Sequence, residues 1–141
     1  MNTAPNNSTA KSHRRTRDDH RLETAEDYVE AVARILEHQP TCRVVDLSRS
    51  FGISHVTVTR TVSRLQELGY LQTAPYQPIT LTVKGKHLAA ESRNRHEVVY
   101  QFLLAIGVMP QIAAADAEGI EHHVSRETLG KFQAFIDTRK P

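Results

Sequence analysis

Apolar residues recur at helical spacing over residues 24–37, where Tyr28, Val29, Val32, Ile35 and Leu36 fall on one side. The pattern predicts a helix there, with Thr24 as its N-cap and Pro40 beyond its end. Residues 44–51 predict a short second helix, followed by Gly52 as a turn and Ser54 as the cap of a third. The third helix runs to about residue 68, with Val58, Val62, Leu65 and Leu68 toward the core and Gly69 closing it. At Tyr70 the period changes. Residues 70–73 and 79–82 alternate, and two prolines lie between them, which predicts a small hairpin. A long helix follows from Lys84 to about Ile106, with Leu88, Ala89, Val98, Val99, Phe102, Leu103 and Ile106 on its apolar side. Gly107 breaks it and Pro110 opens the next helix at its first position. That helix carries a stripe of Ala113, Ala117, Ile120 and Val124. Ser125 caps a last helix bearing Leu129, Phe132, Phe135 and Ile136. Large apolar residues on a short terminal helix of so small a chain predict burial against a second subunit.

These elements make a mainly α fold. A winged helix-turn-helix with a two-stranded wing occupies residues 22–84, and a long helix joins it to a small all-helical dimerisation domain over residues 85–141. An ordinary helical hairpin would share the apolar spacing of residues 44–68. The polar face of the third helix decides for DNA binding, because Thr57, Arg60 and Arg64 line up there. Ser54, His55, Thr57, Arg60, Thr61 and Arg64 are the candidate DNA-contacting residues.

Residues 1–21 are polar and almost free of apolar side chains, which predicts a disordered basic tail. Lys11, Arg14, Arg15 and Arg17 make it either a solubilising tail or an additional contact to DNA phosphates. Charge elsewhere is divided. Residues 43–86 carry six Lys/Arg against two acids, whereas residues 110–137 carry two against five. A basic middle suits a polyanion and an acidic end suits cations. The single Cys42 excludes an intrachain disulfide and fits a reducing compartment. With no apolar run long enough for a membrane span and no secretory leader pattern, a cytoplasmic protein without membrane partners is expected.

The stretch Glu118-Gly119-Ile120-Glu121-His122-His123 carries the candidate chemistry. On a helix, Glu118, Glu121 and His122 stand at i, i+3 and i+4 on one face. Two carboxylates and an imidazole can hold a divalent cation. A solvated acidic face is the competing reading. Gly119 inside the helix costs about 1 kcal/mol relative to alanine, which a close approach of another group would explain.

The order of motifs resembles the diphtheria-toxin-repressor family of metal-dependent repressors, in its manganese-responsive subgroup. The resemblance covers residues 24–137. It rests on Glu26-Asp27-Tyr28-Val29-Glu30, the winged helix, Arg95-His96-Glu97 with Phe102-Leu103, and the run from Asp116 to Ser125. It implies a two-metal site built from Asp27 and Glu30 of the first helix, His96 of the long helix, and Glu118, Glu121 and His122; His123 is not a ligand in that pattern. It also implies a homodimer joined through the last helices. Four carboxylates and two imidazoles contain no sulfur donor and suit Mn²⁺, with Fe²⁺ or other divalent ions also accepted. In iron-responsive relatives the positions of Asp27 and Glu121 resemble Met and Cys. The wing tip, Tyr76-Gln77-Pro78, departs from the Arg or Gly of relatives.

The expected function is a manganese-activated transcriptional repressor that binds operator DNA as a homodimer and controls manganese homeostasis genes. The alternative is a metal-independent winged-helix transcription factor. A metallohydrolase is disfavoured by the lack of a His-Glu-x-x-His helix, so neither enzyme activity nor a small-molecule substrate is expected.

Overall fold

The computed structural model describes residues 7–139. Six α-helices and one two-stranded sheet follow in the order α1 Asn7–His38, α2 Val44–Phe51, α3 His55–Glu67, β1 Leu71–Gln72, β2 Thr80–Leu81, α4 Val83–Ala105, α5 Pro110–Ile120 and α6 Arg126–Thr138, with a 3-10 turn at Glu121–His123 before α6.

α1 begins well before the expected Thr24, so residues 7–21 are helical where a disordered tail is expected; residues 1–6 of that tail lie outside the described residues. The physical reason is propagation. No Gly or Pro interrupts residues 7–38, and once a helix is anchored each further residue adds a bond without a new nucleus. Thr24 is therefore not a cap; its Oγ1 donates to the carbonyl of His20 at 3.0 Å inside the helix. Burial starts only at Ala25.

From there α1 supplies the centre of the core. Tyr28, Val29 and Val32 pack with Leu47 of α2, Val58, Val62 and Leu65 of α3, Leu71, Ile79 and Ala89. Each large aliphatic buried here is worth about 1.5–3 kcal/mol. Between α2 and α3, Gly52 adopts φ 67° and its N–H returns to Ser48 O at 2.9 Å, which turns the chain without side-chain strain. Ser54 then caps α3, its Oγ accepting from Thr57 N–H at 3.2 Å. At the other end, Gly69 N–H bonds Gln66 O and Tyr70 N–H bonds Leu65 O, a Schellman closure that uses φ 86° at Gly69. Leu68, expected in the core, is 50% exposed because this closure turns it outward.

The wing is shorter than the alternation predicts. Only Leu71↔Leu81 and Gln72↔Thr80 pair, and Ile79 instead bridges Cys42. Cys42 is thus a buried packing residue, its thiol pushed up to about 11 by burial first and then by the Asp46 charge. The wing tip projects Tyr76, at φ 64° and 97% exposed.

Thr82 caps α4 by accepting from Gly85 N–H at 3.0 Å. Gly85 lies directly against the carbonyl of Tyr70, where a Cβ would collide with backbone. Gly85→Ala is therefore expected to destabilise the fold by about 1–3 kcal/mol, as overpacking does, lowering the midpoint of a urea melt. α4 spans 23 residues, about 35 Å, and so reaches from the wing to the far end of the molecule. There Phe102 stacks on Phe132 of α6 at 3.9 Å and meets Phe135 edge-on at 5.5 Å. No residue of α6 is fully buried, and Ile106, Met109, Ile112 and Ile120, in the segment before it, are exposed. Ile120, expected on an apolar stripe with Ala113 and Ala117, is thus not covered within the single chain.

Candidate metal centre and DNA-reading surface

α1, α4 and the end of α5 meet around a polar pocket. Helical spacing on α1 places Asp27 and Glu30 one turn apart, while α4 contributes His96. The stretch 118–123 is not one continuous α-helix, as the sequence pattern expects. α5 ends at Ile120 and the chain tightens into a 3-10 turn over Glu121–His123. The tightening separates the two histidine-facing directions. Glu118 and Glu121 face His96, whereas His122 reaches across to α1.

His96 Nδ1 lies 3.2 Å from Glu121 Oε2 and 3.8 Å from Glu118 Oε1. His122 Nε2 lies 3.3 Å from Asp27 Oδ1 and 3.4 Å from Glu121 Oε1. Donor atoms of His96, Glu118 and Glu121 fall within 4.8 Å of one another, and so do those of Glu23, Asp27 and His122. Glu30 belongs to neither group, although charges from both act on it. Its carboxyl is raised by burial first, with the charges of Glu118 and Asp27 adding to the effect. The buried Ser92 hydroxyl and His122 work the other way, although Ser92 stops short of a well-formed hydrogen bond.

Glu121 is the most telling group. It is 1% exposed, and neither carboxylate oxygen has a hydrogen-bond partner. A solvated acidic face is therefore ruled out at this position. Burial pushes its carboxyl up to about 8, with Glu30 and Glu118 adding repulsion and His122 opposing it. For His122 burial acts downward, but hydrogen bonds to Asp27 and Glu26 and the Glu121 charge outweigh it and push it up to about 10. A buried, unsatisfied carboxylate costs several kcal/mol unless protonated or matched by a cation. The surrounding donors are oxygen and nitrogen without sulfur, so the cluster fits a hard or borderline divalent ion. Gly119 faces open space, and no close approach explains it.

Glu26, its partner Arg95, and Glu23 also take part, although the sequence pattern does not single them out as site residues. Glu26 is 1% exposed; its Oε1 accepts from Arg95, and its Oε2 lies 2.5 Å from His122 Nδ1. This contact fixes the imidazole with Nε2 turned toward Asp27 and Glu121, the arrangement that carboxylates impose on metal-binding histidines. The signal was present: Glu26 stands three residues before Val29, so an acid occupies the apolar stripe of α1. Glu23 stands four residues before Asp27, on the same face.

Away from this cluster in the chain, α3 presents His55, Thr57, Arg60 and Arg64 to solvent. Ser54 and Thr57 share a 3.0 Å contact between hydroxyls, and Thr61 Oγ1 donates to Thr57 O at 3.0 Å. The cap thus already occupies the Ser54 hydroxyl, and Arg60 and Arg64 are the long side chains that project. Val56, absent from the expected set, is 67% exposed at the start of the helix.

The chain matches known proteins along most of its length. Residues 21–79 match the iron dependent repressor N-terminal DNA binding domain, and residues 82–140 match the iron dependent repressor metal binding and dimerisation domain. The transcriptional regulator MntR of Salmonella typhimurium is 46% identical over 122 residues, covering 86% of this chain and 78% of that protein. The HTH-type transcriptional regulator MntR of Bacillus subtilis is 35% identical over 106 residues, 75% of each chain. A solved manganese-dependent transcriptional repressor in complex with manganese superposes with a TM-score of 0.72 at 25% identity. That likeness covers 80% of this chain and 52% of the other, so this chain spans about half the length of that repressor. MtsR, a metal-dependent transcriptional regulator, shares the fold with a TM-score of 0.73 at 23% identity. With both family domains matched in order along the chain, it belongs to the iron-dependent repressor family of metal-responsive, DNA-binding transcriptional repressors.

Proposed function

We propose that this protein is a manganese-activated repressor that reads operator DNA as a homodimer in the cytoplasm and is not an enzyme. The observation that carries the metal half of this reading is the orphaned, buried Glu121 carboxylate set among oxygen and nitrogen donors. Asp27, Glu30, His96, Glu118, Glu121 and His122 would hold the metal, with two Mn²⁺ per subunit as the expected number. Bound divalent ions supply the positive charge that these acids lack. Fe²⁺ would meet the same donors, and selectivity for Mn²⁺ over tighter-binding ions would rest on geometry and supply.

The domain division follows the same logic, residues 22–84 reading DNA and residues 85–141 binding metal and pairing subunits. α1 belongs to the first and faces the second through Asp27 and Glu30, so holding these acids against His96 and Glu118 fixes the angle between the two parts. The exposed Ile106, Met109, Ile112 and Ile120, with the partly covered α6, offer apolar surface for a second subunit. Two recognition helices would then read half-sites about one helical turn apart, ~10 bp, or a multiple of it.

DNA reading has a direct test. Arg60→Ala or Arg64→Ala should weaken operator binding by about 1–3 kcal/mol where the arginine reads a base, and should weaken operator and random DNA alike where it meets a phosphate. Gel-shift titrations on both DNAs at two salt concentrations separate these. Unchanged affinity in both variants would remove α3 from the interface.

The protonation of the site gives a second test. At neutral pH the raised Glu121 and His122 hold protons that a metal must displace, so uptake of Mn²⁺ should release protons and tighten as pH rises. Calorimetric titration with MnCl₂ in two buffers of different ionisation enthalpy reads the proton count. A heat independent of buffer contradicts the assignment of these two residues.

A further inference from the structure

We propose that Glu23 is an additional metal ligand, closing the Asp27–His122 side of the centre. The proposal rests on the metal reading above and extends its donor set beyond the six residues already named. Carboxylate oxygens of Glu23 and Asp27 and a ring nitrogen of His122 lie within 4.8 Å of one another, a three-donor group separate from that of His96, Glu118 and Glu121. Glu23 and Asp27 stand at i and i+4 on α1, so one helical turn presents both acids in the same direction.

Glu26 cannot fill this place, although it is nearer the core. One of its oxygens accepts from Arg95 and the other holds His122 Nδ1. That contact leaves His122 Nε2 for the face where Asp27 stands at 3.3 Å. Glu121 approaches the same nitrogen at 3.4 Å, fully buried and with neither oxygen hydrogen-bonded, so a carboxylate short of hydrogen bonds borders this side as well. Glu23 itself is held loosely. Its ion-pair contact is with His123 Nε2 at 3.5 Å, a ring whose side chain is 54% exposed. A contact of that length to an exposed imidazole contributes little and leaves the carboxylate able to turn toward a cation. Glu23, Asp27 and His122 offer oxygen and nitrogen donors of the kind Mn²⁺ accepts.

The test is calorimetric titration of the chelator-treated, full-length protein with MnCl₂, beside Glu23→Gln and His123→Gln. Glu23 lies at the surface edge of the centre, so metal-free melting temperatures should agree among the three proteins. The expected result is two bound Mn²⁺ in the unmodified protein, a loss on the order of tenfold or more at one site in Glu23→Gln, and no change in His123→Gln. Unchanged binding by Glu23→Gln would overturn the proposal while leaving the six-residue centre intact. Equal weakening in both variants would also overturn it, since Glu23 would then act through its ion pair. No Mn²⁺ uptake by the unmodified protein would reject the metal reading itself, and Glu23 with it.

Discussion

Glu121→Gln should give a metal-free protein that is more stable than the unmodified one and no longer responds to Mn²⁺. The sign follows from the direction of the shift. Glu121 ionises at an ordinary 4.5 in an unfolded chain but is pushed up to about 8 in the fold. Its protonated form therefore contributes stability that is fully present below the unfolded value and is lost as pH rises through about 8. His122 adds in the same direction, its contribution present below 6.5 and lost as pH rises through about 10. The unmodified metal-free protein should lose stability from mildly acid to alkaline pH, and the glutamine variant should show a flatter profile. Saturating Mn²⁺ should reverse the trend in the unmodified protein, adding about 2.7 kcal/mol when free metal is 100 times its Kd. Melting curves across pH, with and without MnCl₂, read all of this. A variant that still gains stability from Mn²⁺ would place the essential carboxylate elsewhere.

The second large effect is expected at Glu26. Replacing it by alanine leaves Arg95 without its acid and His122 without the acceptor that orients it. Breaking a buried ion pair costs about 3–5 kcal/mol, and because Arg95 is 23% exposed the lower end, about 3 kcal/mol, is expected here. Metal affinity should also fall by on the order of tenfold or more, since the imidazole can then turn away from Asp27. Urea denaturation gives the first quantity and calorimetry the second. Because Glu26 and Arg95 share one interaction, Glu26→Ala combined with Arg95→Met should cost less than the two single effects added. Additive losses would show that the two residues act independently.

Most of the fold is legible in the chain because its elements are separated by residues with one physical meaning each. Gly52, Ser54, Gly69 and Pro110 mark boundaries through turn, cap and closure chemistry, and the structure follows them closely. The helical start at Asn7 is less legible, since polar composition argues for disorder while the absence of Gly and Pro lets an anchored helix run on. The short wing reflects tertiary choice: Ile79 pairs with Cys42, a partner 37 residues away in sequence that alternation alone cannot show. At the candidate centre, spacing identifies Glu118, Glu121 and His122 as a unit. The 3-10 tightening that sends His122 to α1 depends on packing and has no local sequence signal. Glu26 is a different kind of omission. An acid on the apolar stripe of α1 marks a buried charge that must have a partner, and Arg95 and His122 are that partner set.

The switch itself follows from where the acids stand. Asp27 and Glu30 ride on the helix that carries the DNA-binding core, and Glu118 and Glu121 on the segment after α4. On the proposed reading, repulsion among those acids that are ionised works against holding the two parts at one angle without a cation, and a cation that displaces the Glu121 proton would tie them together. On the same reading, rigid spacing of two recognition helices would lower the ordering cost of operator binding, a shift in population with no new DNA contact. The most direct measurement is operator affinity of the unmodified dimer after chelation and again with saturating MnCl₂, at one fixed salt concentration. The account predicts tighter binding with Mn²⁺ by roughly 5–150-fold, the range of coupling energies of about 1–3 kcal/mol, while affinity for random DNA changes little. Equal operator affinity in the two states would contradict it, even for a protein that binds the metal.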